Sequence, residues 1–151
     1  MRKWWIMALA LLVFGMLPAS GTELGELHPV SILLVQTQGK NVQLFTDTQD
    51  LGEGETLDAA LKNLEDTTPG HLFLDTVEYL ILTEQTQYLM PQLKQLLRPG
   101  VAVCASEDDL NLEALLEYLK THTPKTTLGD ADETTPLQML TCSEERFFLG
   151  K

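Results

Sequence analysis

Apolar positions along the chain recur with two different periods. From Val30, "VSILLVQTQ" is an aliphatic, β-branched run that predicts a buried strand. Gly39-Lys40-Asn41 makes a turn, and "VQLFTDTQ" then alternates: Val42, Leu44 and Thr46 fall on one face, Gln43 and Phe45 on the other. These two runs predict a hairpin. "DLGEGE" breaks the alternation, after which Leu57, Ala60, Leu61 and Leu64 recur at helical spacing. Thr56 is the expected N-cap, Asp58 sits near the positive end of the helix dipole, and "DTTPG" ends the helix.

The second half repeats the exchange of periods. "TVEYLILT", from Thr76, predicts a strand buried on most of both faces. Thr83 can cap "EQTQYLMPQLKQLL", whose apolar face is Tyr88, Leu89, Leu93, Leu96 and Leu97; Pro91 inside it predicts a kink or a later helix start. "VAVCA", from Val101, is a short buried strand. Ser106 with Asp109 resembles a capping box for "LNLEALLEYLKTH", striped by Leu112, Leu115, Leu116 and Leu119. An acidic, turn-rich loop follows, then two short runs, "PLQMLTC" and "ERFFLG". The order ββ-α-β-α-β-α-ββ predicts an α/β fold, with α+β as its neighbour: one mixed sheet and about three helices in a single domain over 22–151.

The segment before that domain reads differently. "MRKWWIMALALLVFGMLPAS" has basic Arg2 and Lys3, an unbroken apolar run from Trp4 to Leu17, and small residues after Pro18. Fourteen helical residues would rise about 21 Å against the roughly 30 Å of a bilayer core. Residues 1–21 are therefore expected to be a secretory signal peptide, or an uncleaved N-terminal anchor, which places the protein outside the cytoplasm. No cysteine follows the run, so no lipid-attachment box is present.

The formal charge is −12, and −14 once Arg2 and Lys3 are set aside. Such a surface excludes nucleic acid and anionic headgroups as partners, leaving residues 1–21 as the membrane contact. Two cysteines, Cys104 and Cys142, lie 38 positions apart. In an exported chain they permit a disulfide, on the order of 3–4 kcal/mol by loop entropy. Equally, both can be small buried hydrophobes.

Candidate chemistry is sparse. His71, Asp75 and Glu78 could form a catalytic or metal site, but no GxSxG, CxxC or Cys/His metal spacing accompanies them. The plainer reading makes His71 a loop exit and Glu78 an outward strand position. "DTQDLGEGETLD", from Asp47, imitates a calcium loop with Gly52 at the sixth place, yet Gln49, Leu51 and Asp58 stand where better ligands belong. Gly52 and Gly54 before a helix suggest a phosphate loop, but Glu53 and Glu55 would repel an anion. His28 and His122 are isolated. No catalytic residue, metal or cofactor is expected.

One family pattern runs through the chain. Gly54, Thr56, Leu57 and Ala60 fit a "G-x-T/S-hydrophobic-x-x-A" helix start; the strand Val77 to Leu82 precedes Glu84, and Arg98 ends the next helix. Together with the tail "TTPLQMLTCSEERFFLGK", this resembles the first domain of the Ger(x)C family, the C subunits of spore germinant receptors. That family carries a histidine near the position of Thr76 and a lysine near that of Glu78. Its members are usually lipoproteins of about three domains, so this chain reads as a stand-alone or degenerate relative. The resemblance implies a non-catalytic, extracytoplasmic binding or scaffolding module with a protein partner at the cell or spore membrane, in spore germination. The alternative is a small secreted hydrolase using carboxylates or His71.

Overall fold

A computed structural model of the protein describes residues 27–151; the expected signal segment, residues 1–21, lies outside the described residues. The strands are β1 (Leu27–Pro29), β2 (Ile32–Gln38), β3 (Asn41–Thr46), β4 (Leu51–Gly54), β5 (His71–Phe73), β6 (Tyr79–Leu82), β7 (Ala102–Ala105), β8 (Thr126–Thr127), β9 (Leu140–Ser143) and β10 (Arg146–Leu149). The helices are α1 (Leu57–Thr67), α2 (Met90–Leu96) and α3 (Leu112–Thr121). The fold is mixed α/β.

Six strands form one mixed sheet in the order β4-β3-β2-β6-β7-β8. The expected hairpin pairs antiparallel from Gln38↔Asn41 to Leu33↔Thr46, and Gly39 turns it at φ 63°. β2, β6 and β7 are parallel neighbours, linked by crossovers that carry α1 and α2. Because side chains alternate across a strand, the sheet has two apolar faces. Leu33, Val35, Val42, Leu44, Leu80 and Val103 pack under α1 and α2. Ile32, Leu34, Tyr79, Ile81 and Cys104 pack under α3 and the β9–β10 hairpin. β6 is buried on both faces, as its apolar run requires.

Thr56 caps α1 as expected, its Oγ1 accepting from the Ala59 amide at 3.1 Å. Pro91 does delay a helix. Glu84–Leu89 is a 3-10 turn, opened by the reciprocal pair Thr83 and Thr86, and α2 begins only at Met90 with the proline in its first turn. Thr86 is buried and also donates to the Val35 carbonyl at 2.9 Å, locking this turn to β2.

Three expectations need correction. Ser106 does not cap α3: it is buried, and its Oγ accepts from the Asp108 amide in a local turn, while Asn111 Oδ1 caps the helix at the Ala114 amide, 3.2 Å away. "LGEG", read as an interruption, is the edge strand β4. The last two strands do not join the main sheet; they pair with each other and meet it at a single Ala105↔Met139 bridge. Sequence patterning also left out the β1–β5 pair, in which Leu27↔His71 to Pro29↔Phe73 run parallel beside the sheet.

Candidate functional site

The structure does not gather His71, Asp75 and Glu78. His71 opens β5 on its exposed side, opposite Leu27. Asp75 lies in the 3-10 turn Leu74–Thr76, and Glu78 precedes β6, where its amide donates to the Ser31 carbonyl at 2.9 Å. Among the described residues Lys120 and Glu117 form an ion pair, His28 meets Asp50 at 2.8 Å, and no cluster of three metal-ligating groups occurs.

The calcium-like stretch uses its oxygens elsewhere. Asp47 Oδ1 accepts from the Ser31 and Ile32 amides at 2.9 and 3.0 Å, closing the start of β2. Asp50 Oδ2 meets His28 Nε2 at 2.8 Å and accepts from the Thr48 hydroxyl at 2.7 Å. His28, isolated in sequence, thus ties the β1 segment to the β3–β4 turn. Gly52 and Gly54 belong to β4 and lie under α1, Gly54 against its first turn at Ala59 and Ala60, where the neighbouring Glu53 and Glu55 would repel an anion.

Both cysteines are free thiols. The parallel bridge Ala105↔Met139 sets the register between their segments. Cys104 falls one residue before that bridge and Cys142 three beyond it, a stagger of about 13 Å along the strands, against the roughly 7 Å limit between bridged Cα atoms. Asp108 Oδ2 fixes Cys142 in place by accepting its amide at 2.7 Å. Burial pushes the Cys104 thiol up to about 12, as for any thiolate that would lose its water.

The sheet face under α3 is only half covered. α3 and the β9–β10 hairpin lie over β6, β7 and the start of β2. Further along β2 and across β3 a cleft of about 400 Å³ lies between the sheet and the segment leading into α3. Leu34 and Phe45, cross-strand partners, make the floor. Gln36 stands beside them at the cleft, donating to Gln43 Oε1 at 3.2 Å, and Gln43 in turn donates to Gln38 Oε1 at 2.7 Å. The opposite wall is Asp109 to Glu113. The charged side chains of the lining are Asp47, Asp109 and Glu113, with no cation among them. Hydrophobic floor and acidic rim together suit a ligand that is apolar and positively charged.

Nothing in the linear pattern announced this cleft, because it depends on which half of the sheet α3 leaves bare. No family model matches the chain, no curated protein matches it, and no solved structure does.

Proposed function

We propose that the protein is an exported, non-catalytic binding or scaffolding module that works through a protein partner at the cell or spore membrane. The observation that carries this reading is the cleft between β2, β3 and the start of α3, with its apolar floor and acidic lining. It offers shape, apolar area and charge for recognition, while the histidine and carboxylates that a hydrolase would need stand apart. Export rests on the sequence of residues 1–21. Kinship with germinant-receptor C subunits, and with it a role in spore germination, rests on the residue pattern from Gly54 to Arg98 and on the closing strands.

Expression of the full chain in a spore-forming Gram-positive host tests the placement. N-terminal mass spectrometry is expected to find a mature end near Gly21, or an intact anchor, and external protease is expected to digest the protein in whole cells. Full protection from protease until the cells are lysed would overturn it.

A further inference from the structure

We infer that the cleft between β2, β3 and the start of α3 takes a cationic, amphipathic peptide segment of the partner, an apolar side chain seated on Leu34 and Phe45 and flanking Lys or Arg side chains reaching Asp47, Asp109 and Glu113. This rests on the proposed binding role and names its site and the chemistry of its occupant.

Charge decides the class of occupant. Asp47, Asp109 and Glu113 line one opening with no basic side chain among them, in a chain already strongly acidic. A partner that brings positive charge complements this lining, and a guanidinium can meet a carboxylate with two hydrogen bonds. A metal ion is a poorer occupant, because Asp47 Oδ1 already accepts two backbone amides. Nucleic acid and anionic lipid are repelled.

Shape and hydrogen bonding decide between a peptide and a small amine. The floor is apolar, with Gln36 in the lining beside it. The Gln36 amide donates to Gln43, which leaves its own side-chain carbonyl to accept from a backbone amide of a bound peptide. A polyamine has too little apolar bulk for Leu34 and Phe45.

The test uses the exported full-length product, isotopically labelled and titrated with acetyl-Lys-Leu-Arg-Phe-Lys-amide while amide resonances are followed. Shifts are expected at Gln36, Phe45, Asp47 and from Asp109 to Glu113. Affinity should fall about tenfold in D109N/E113Q and fall again as salt rises, the mark of a charge-steered contact. Asp109 and Glu113 are exposed, and an unchanged melting temperature verifies folding. Asp109→Lys should shift preference toward acetyl-Glu-Leu-Glu-Phe-Glu-amide. Spermidine matching the peptide, equal binding of the glutamate peptide, shifts centred elsewhere, or no shifts at millimolar peptide would each overturn the inference. Such a failure with export intact removes this occupant and moves binding to another surface. Retention in the cytoplasm removes the exported role whatever the peptide does.

Discussion

Gly52 of β4 passes so close beneath Ala60 of α1 that no side chain fits between them: a Cβ at Gly52 would overlap the Ala60 carbonyl oxygen and stand 2.5 Å from Leu64 Cβ. Gly54 repeats the arrangement, 2.5 Å from the Ala60 amide and 2.6 Å from Ala59 Cβ. The two glycines let α1 lie directly on the strand. The helix then closes the sheet's outer edge: Asn63 Oδ1 accepts from the Glu53 amide at 2.9 Å, and Thr67 Oγ1 donates to the Leu51 carbonyl at 3.2 Å. An edge that would otherwise invite another strand is capped by side chains from its own neighbour.

Gly52→Ala should therefore destabilise the fold by about 3 kcal/mol, the upper end for overpacking, since the clash is with helix backbone. Gly100 provides the comparison, because a Cβ there would meet nothing within 4 Å: Gly100→Ala is expected to be neutral within about 0.5 kcal/mol. Urea unfolding of both variants checks this. Equal midpoints would show that α1 moves aside at little cost.

The β9–β10 hairpin turns on Glu144 and Glu145, both in the left-handed region at φ 49° and 62°, between the paired residues Ser143 and Arg146. A two-residue loop of this kind favours Asn-Gly, and a glutamate there costs about 1 kcal/mol. The double substitution E144N/E145G should raise stability by about 1 kcal/mol. Thermal or denaturant unfolding reads the gain directly, and a loss would mean that the glutamates make contacts worth more than the backbone strain.

Legibility followed distance along the chain. The β2–β3 hairpin, the Thr56 cap and the effect of Pro91 were readable because each depends on residues a few positions apart. β4 was not, since "LGEG" lacks apolar alternation for the reason that makes it a strand here: its inward positions must be empty for α1. Nor was the choice between Ser106 and Asn111 as a cap, because both side chains can accept an amide and the outcome turns on β7 burying Ser106. His28 and Asp50 stand 22 residues apart, and β1 pairs with a strand 44 positions on. The cleft is further still from any local signal, being the part of a sheet face that α3 does not reach.

Asp132 gives the acid limb of the stability curve a local cause. Its Oδ1 accepts from the Thr134 hydroxyl and amide at 2.8 Å each and from the Thr135 hydroxyl at 2.9 Å. The Thr134 hydroxyl and amide, then the Thr135 hydroxyl, hold its carboxyl down to about 2. A folded-state value below the unfolded value of about 3.9 contributes stability above pH 4 that fades as pH falls toward 2. Asp132→Asn should thus lower the melting temperature at pH 6, with the difference from the native protein shrinking between about pH 4 and pH 2. A difference constant over that range would assign the effect to something other than the carboxylate's charge.

Cys104 and Cys142 differ in access, and thiol chemistry reads the difference. Cys104 is fully buried on β7, with ionisation pushed up to about 12 by loss of solvent, so it should resist iodoacetamide in the folded protein. Cys142 is half-buried on the C-terminal hairpin and should react. Native labelling of the exported protein is then expected to add one adduct, and labelling in denaturant without reductant should add a second. If neither thiol reacts even in denaturant until a reductant is supplied, the two are bridged, and the register set by Ala105 and Met139 must shift by about four residues to bring them together.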